Sequence, residues 1–254
     1  MSEKDQPMSA SQHSIMEATK SRAKFSGHGG GKALGAAGYV SDTDDSCDFL
    51  ATTGQRTIFN PPENGFGDII IGAAWQNIKK EQGGFLNRLM NKATDTGVDL
   101  DLGVLYELHN GKRGCVQAFG GTMGNYETEP YLLLNGDDRT GDDDDDDEHG
   151  NDEVILLNGQ KWPEIKRLLI YLYIYKGVHN WAEIAPQVQV LVPNERPMVV
   201  TLHTYKSELC LAATARMENV RNGIRMTNIT EYYPGHPSMD RAFGFGIEWE
   251  DGQK

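Results

Sequence analysis

Residues 168–175 (LLIYLYIY) form the longest apolar run in the chain and predict a β-strand that is buried on both faces. The even-numbered residues are leucine or isoleucine, and the odd-numbered ones are Leu169 followed by three tyrosines. Side chains alternate between the two faces of a strand, so neither face of this one is polar. A transmembrane helix needs about 20 apolar residues, and this run is much shorter. The run therefore predicts a central strand in a sheet.

A second strand is predicted over residues 98–108 (VDLDLGVLYEL), where every even-numbered residue is apolar. This alternation is typical of a strand with one face against the core. Asp99 and Asp101 leave the opposite face from Leu100 and Leu102.

Shorter apolar segments between Gly, Asn and Asp turns complete the prediction. They cover residues 68–75, 115–119, 131–134, 153–157, 188–192, 198–205, 208–215, 224–233 and 243–249. Residues 83–93 predict a short amphipathic helix, but there are too few helices for repeated βαβ units. We expect an all-β protein, a two-sheet antiparallel β-sandwich with a few short helices.

The first 56 residues differ from the rest of the chain. They are rich in Ser, Gly, Lys, Asp and Gln, with scattered apolar residues. Such a segment buries too little surface to offset the entropy of ordering. We expect residues 1–56 to be a disordered or loosely docked N-terminal tail and residues 57–254 to be the sandwich domain.

The charge balance narrows the range of partners. The chain has 37 acidic and 24 basic residues and a net charge of −13. A basic patch for nucleic acid is therefore not expected, and an anionic membrane would be repelled unless cations bridge the two surfaces.

The three cysteines form no C-x-x-C pair, and the N-terminal residues show no signal-peptide pattern. We expect a cytoplasmic protein.

Two acidic groups are candidates for metal binding. Asp99 and Asp101 are two residues apart on one strand face, about 6.5–7 Å, so both can approach one hard cation or two neighbouring ones. Acids at such positions also commonly face solvent, and the residues alone leave both interpretations open.

The second group lies in residues 135–153 (NGDDRTGDDDDDDEHGNDE). The pattern is not an EF-hand, because the required Asp, Gly and Glu spacing is absent. Its middle, about residues 144–148, is typical of a solvated acidic run. The flanking residues suggest fixed geometry: Asp137 and Asp138 before a Thr-Gly turn, and Asp152 and Glu153 at the head of a strand.

These motifs carry a family resemblance. GVDLDLGVLYEL resembles the "DLDAS" strand of the TerD family of tellurium-resistance and stress proteins, and NGDDRTG followed by NDE resembles its "GDN-x-TG … DDE" calcium loop. KRGCVQAFGG, LLIYLYIYKGVHNW and PGHPSMDRAFGFGIEWEDGQK are most similar to the TerA-like branch. The resemblance covers about residues 66–254.

The resemblance implies a β-sandwich that binds Ca²⁺ between loops and has no known catalytic reaction. Asp138 stands where the family has Asn, and Asp142 and Asp143 lie in a loop that is longer and more acidic here. The metal ligands implied by position are Asp99, Asp101, Asp137, Asp138, Asp142, Asp143, Asp152 and Glu153.

We therefore expect a calcium-binding module of stress response and tellurite resistance that acts through interactions rather than catalysis. Its partners would be calcium ions and other tellurium-resistance proteins, with a cation-bridged membrane surface at the inner face as a further option. One alternative is a metal-dependent hydrolase whose acidic cluster holds Mg²⁺ or Mn²⁺. Another is a structural scaffold with non-functional metal sites.

Overall fold

The structure, a computed structural model, describes residues 40–75, 99–118, 120–134, 153–176, 181–203, 205–206 and 208–249. The predicted helix over residues 83–93 lies outside this part of the chain. No helix in the described residues is long and apolar enough to cross a membrane.

The described residues form thirteen strands in two sheets. In spatial order, the seven-stranded sheet contains β1 (Asp48–Leu50), β11 (Met198–Thr201), β10 (Gln187–Leu191), β3 (Ile69–Ala74), β8 (Val154–Leu157), β7 (Leu132–Leu134) and β6 (Gly124–Asn125). The six-stranded sheet contains β2 (Arg56–Phe59), β13 (Gly223–Tyr233), β12 (Leu211–Val220), β9 (Ile165–Lys176), β4 (Asp99–Leu108) and β5 (Arg113–Val116). Neighbouring strands are antiparallel except β1 and β11, which are parallel. The predicted all-β sandwich is confirmed.

The central position predicted for residues 168–175 is also confirmed. They lie in β9, which pairs with β12 on one side and β4 on the other. Leu168, Ile170 and Leu172 join the main core between the two sheets. Leu169 and Tyr171 lie on the outer face of the six-stranded sheet, in a second apolar cluster. Both faces are therefore buried over residues 168–172, whereas Tyr173 is half-buried and Tyr175, near the end of the strand, is 40% exposed.

Three short helices complete the described fold: a 3₁₀ helix at Gly159–Glu164, α1 at Trp181–Ile184 and α2 at His236–Phe243. The predicted strand over residues 243–249 is wrong. In its place α2 ends at Gly244, which has a left-handed φ of 65°. The carboxylate of Asp240 then accepts hydrogen bonds from the backbone N–H groups of Gly246 and Ile247, both at 2.8 Å.

This C-terminal segment, residues 236–249, covers part of the outer face of the six-stranded sheet. Met239 and Phe245 are buried there with Leu105, Leu169 and Tyr171. Apolar residues on that side of β4 and β9 are thereby removed from water, which stabilises both strands and segment.

The seven-stranded sheet begins before residue 57, the predicted start of the domain. β1 lies at Asp48–Leu50, and Val40 and Cys47 are buried against Val199. The backbone of Val40 also exchanges two hydrogen bonds with the side-chain amide of Gln187, at 3.0 and 2.6 Å. The amide fixes this stretch despite its polar sequence. Residues 1–39 of the predicted tail lie outside the described residues.

Candidate metal site

Three of the eight candidate ligands lie in the described part of the chain: Asp99, Asp101 and Glu153. The other five lie outside the described residues; they are Asp137, Asp138, Asp142, Asp143 and Asp152. Asp99 and Asp101 lie in β4, and Glu153 directly precedes β8.

Glu153 connects the two sheets at the end of β4. Strand β5 pairs with β4 only over Val104–Glu107, so among the described residues the first half of β4 has no strand paired to it on that side. There the carboxylate of Glu153 accepts a hydrogen bond from the backbone N–H of Leu102. The carbonyl of Glu153 accepts a second one from Ala73 in the other sheet, at 3.1 Å. Glu153 thus places a carboxylate beside the acidic end of β4.

Asp101 lies on the outer face of β4 and is only 1% exposed. Of the two interpretations left open by the sequence, the structure contradicts simple exposure to solvent. A half-buried strand pattern does not predict this burial, because it does not show what packs on the polar side of the strand. A buried carboxylate needs charge or hydrogen-bond compensation, which makes Asp101 the more informative member of the pair.

Asp99 lies at the edge of the same face and is half-buried. It is in register with Lys176 at the end of β9, and the register shifts between Asp99 and Leu100. Asp99 and Asp101 therefore do share a strand face, as predicted, but they differ in burial. Asp99 is therefore more accessible to solvent than Asp101.

The aromatic ring of Tyr171 crosses β4 next to Asp101. Tyr171 is in register with Gly103, and a methyl group at Gly103 would lie 2.1 Å from ring carbon Cζ. The Tyr171 hydroxyl donates a hydrogen bond of 2.5 Å to Oε1 of Gln117. Burial raises the pKa of Tyr171 well above 10.0, and negative charge on nearby groups, including Asp101 and Glu153, raises it further. The hydroxyl is therefore a neutral donor in the electrostatic field of both candidate ligands.

Oxygen donors of this kind suit a hard divalent cation. Calcium takes 6–8 oxygens at about 2.3–2.6 Å from carboxylates, carbonyls and water. Within the described ranges, no three His, Cys, Asp or Glu side chains are grouped closely enough to hold a metal ion. The donor chemistry of Asp99, Asp101 and Glu153 fits calcium, and a full shell requires further oxygens from water or from residues 135–152, which directly precede Glu153 in the sequence.

A fourth buried carboxylate, Glu107, was not singled out from the sequence. It lies at the other end of β4 and is 2% exposed. It accepts hydrogen bonds from Arg113 (2.9 Å), Lys166 (2.9 Å) and Arg167 (2.5 Å). Burial acts to raise the pKa of Glu107, but these hydrogen bonds outweigh it and lower the pKa to about 2. Its pairing with Arg167 depends on the register of β4 and β9, which the sequence pattern does not supply.

The same arginines attach the C-terminal segment to the sheet. Arg167 donates to the carbonyls of Phe243 and Gly244 at 2.9 and 3.1 Å, and Arg113 donates to that of Phe245 at 3.0 Å. These carbonyls lie at or just after the C-terminal end of α2. Cationic donors are favourable there because a helix C-terminus carries partial negative charge. Glu107 is therefore a structural residue that orients two arginines.

Comparison with known proteins gives one informative relative. No family model matches the sequence. The chain is 38% identical over 189 residues to the protein named "Tellurium resistance protein TerA" from Alcaligenes sp., an alignment that covers 74% of this chain. The chain spans about half, 53%, of that protein's length. The resemblance stated from the motifs is confirmed by this alignment: the chain belongs to the TerA-like tellurium-resistance proteins.

Proposed function

We propose that this domain is a calcium-binding module of tellurite resistance and stress response, which acts through protein interactions rather than catalysis. The observation that supports calcium binding most directly is the placement of Asp101 and Glu153. Both carboxylates are buried, at 1% and 9% exposure, at the end of β4 that β5 leaves unpaired. Carboxylate oxygens are ligands that calcium prefers, and a cation bound by these two side chains would stabilise their burial at this end of the strand.

The charge of the whole chain supports the choice of a cation. The net charge is −13, and seven consecutive acidic residues, 142–148, lie between the two flanking motifs of the proposed site. A net negative charge of this size attracts calcium ions over long range. The named relative is a tellurium-resistance protein, and from it we infer the biological role, with other tellurium-resistance proteins as partners and the cytoplasm as the location.

Calorimetric titration of the chelator-treated protein tests this function. We expect saturable binding of Ca²⁺ and a weak response to Mg²⁺, because Mg²⁺ demands octahedral geometry and loses its water reluctantly. Asp101→Asn should weaken calcium binding at least tenfold, since it removes a charged ligand. The matched control is Asp48→Asn, which changes an aspartate 52% exposed and paired with Arg196; it should bind calcium like the wild type.

Two results would contradict the proposal. Weak, non-saturating heats that Asp101→Asn does not alter would make the domain a scaffold without a working metal site. Saturable binding of Mg²⁺ or Mn²⁺ with hydrolysis of a phosphate ester would instead support a metal-dependent hydrolase.

The biological role has a separate test. We expect a strain that lacks the protein to regain tellurite resistance with the wild-type chain and with Asp48→Asn, but not with Asp101→Asn. Equal resistance with both variants would show that calcium binding at this site is not needed for the role.

A further inference from the structure

The proposed calcium site and the C-terminal segment, residues 236–249, are connected through one buried side chain. Tyr171 is 1% exposed, and its ring fills the space above Gly103, two residues from Asp101 on the same face of β4. Its hydroxyl is held by Gln117 beyond the opposite side of the strand. A side chain at Gly103 would displace the ring, so the glycine of the DLDLG motif is needed for this contact.

The other side of the Tyr171 ring meets the start of α2. The ring centroid lies 5.2 Å from that of His236, edge to face. Tyr173, which is in register with Asp101, lies 4.9 Å from the same imidazole. His236 in turn lies 5.0 Å from the ring of Trp249. These four rings form a continuous aromatic cluster from the acidic end of β4 to the end of the described chain.

Within the segment, Asp240 joins the helix to the residues that follow it. Its carboxylate accepts hydrogen bonds from the backbone of Gly246 and Ile247 and from the indole N–H of Trp249, the last at 3.1 Å. A shift of His236 or Trp249 therefore moves α2 and residues 244–249 together. This makes the segment a unit that can respond as a whole to a change at the aromatic cluster.

We propose that Tyr171 is a positioning residue of the calcium site and transmits its occupancy to the C-terminal segment, so that calcium seats residues 236–249 on the sheet. The inference rests on the proposed function. With calcium bound, Asp101 is fixed on β4 and the ring beside it is packed against Gly103 and His236. Without calcium, Asp101 loses this attachment, and the end of β4 that carries it becomes more mobile together with the ring against which His236 packs.

Hydrogen exchange of the full chain, followed by mass spectrometry with calcium and with chelator, tests the coupling. We expect calcium to slow amide exchange in residues 236–249 by about fivefold or more, the lower end of typical coupling between two sites. Exchange in β10 and β11, in the other sheet, should change little. The same protein preparation is titrated with calcium by calorimetry.

Variants separate positioning from general packing. Tyr171→Leu should weaken calcium binding and abolish the calcium dependence of exchange in the segment, while Tyr171→Phe, which keeps the ring, should restore most of both. Gln117→Met removes the acceptor of the hydroxyl and tests the same contact if Tyr171→Leu does not fold. Tyr233→Leu is the matched control, because Tyr233 packs on the other end of α2 against Phe243, at 6.0 Å between ring centroids. It should speed exchange equally with and without calcium and leave calcium affinity unchanged.

The outcomes distinguish this inference from the function on which it rests. Absence of saturable calcium binding in the wild type contradicts the calcium module itself. Calcium binding with the same exchange in residues 236–249 in both states overturns the coupling and leaves the module intact. A change in exchange that Tyr171→Leu and Tyr233→Leu affect alike would also overturn the role of Tyr171.

Discussion

The two ends of β4 each bury a carboxylate on the same outer face, but they compensate its charge differently. Glu107 lies among Arg113, Lys166 and Arg167, all within the described fold. Asp101, six residues earlier, directly precedes Leu102, whose backbone N–H donates to Glu153, and is two residues from Gly103, against which the Tyr171 ring packs. One end is thus a permanent ion-pair network. The other is an acidic site that we propose is completed by calcium.

This difference shows why burial of an acid is not by itself a sign of function. At Glu107 the folded chain supplies the cations, so the network needs no metal ion from solution. At Asp101 and Glu153 the proposed cation comes from solution, so the stability of that end depends on its concentration. The two ends of β4 can therefore be tested separately. Removing the Glu107 charge affects one end, and removing calcium affects the other.

The largest effect is expected from Glu107→Gln. The change leaves three cationic side chains around a neutral amide, and breaking a buried ion pair costs about 3–5 kcal/mol. Because Arg113 and Lys166 are 42% and 52% exposed, water compensates part of this loss, and we expect about 2–3 kcal/mol. Urea unfolding measures the change. Glu129→Gln, in an exposed pair with Lys112, is the matched control and should lose less than about 1 kcal/mol.

The next largest effect should be the stabilisation of the fold by calcium, which we expect to depend on Asp101 and not on Glu107. At a free calcium concentration roughly thirty times the dissociation constant, linkage predicts about 2 kcal/mol of added stability. Thermal unfolding with calcium and with chelator should show this gain in the wild type and in Glu107→Gln, but not in Asp101→Asn. A gain that survives in Asp101→Asn would place the ion elsewhere and remove the proposed contrast.

Acid should affect the two ends in separate pH ranges. The folded pKa of Glu107 is lowered from 4.5 to about 2, so its contribution is complete above 4.5 and is lost as pH falls towards 2. Burial lowers the pKa of His236 from 6.5 to about 4, so stability that depends on the neutral imidazole is lost as pH falls from 6.5 to 4. Both losses should be smaller than the effects above, because His236 is partly exposed and because Arg113 and Lys166 beside Glu107 are 42% and 52% exposed.

Urea unfolding in chelator at a series of pH values measures both losses. His236→Phe should flatten the profile between pH 6.5 and 4, and Glu107→Gln should flatten it between 4.5 and 2. If either variant changed the slope in the other's range, the two ends would not titrate independently.

Strand alternation was enough to predict the sandwich and the shared face of Asp99 and Asp101. The run in β9 is apolar at every position, and few arrangements other than a central strand accommodate it. The burial of Asp101 could not be predicted, because strand alternation does not show what packs over that face of β4, part of which is covered by residues 236–249. The sequence of that segment alternates enough to resemble a strand, while the capping of its helix by Gly244 and Asp240 is a tertiary feature.

The buried ion pairs of Glu107 could not be predicted for a related reason. Its neighbours in the sequence are apolar, and its partners Lys166 and Arg167 are about sixty residues away. Only the register that sets Glu107 opposite Arg167 shows that the acid is paired. Motifs close in sequence, such as DLDLG, can be matched to a family, whereas charge networks between strands require the pairing of those strands to be known.

The smallest effect is expected from Lys166→Ala, which tests how the network at Glu107 is shared. The Lys166 side chain is 52% exposed and contacts only Oε1 of Glu107 among the hydrogen bonds described. We expect a loss of less than about 1 kcal/mol in urea unfolding, as for an exposed pair. Arg167→Ala should lose at least twice as much, because Arg167 is 22% exposed and also holds the carbonyls of Phe243 and Gly244. Equal losses would mean that charge alone, rather than attachment of the C-terminal segment, determines the stability of this end of β4.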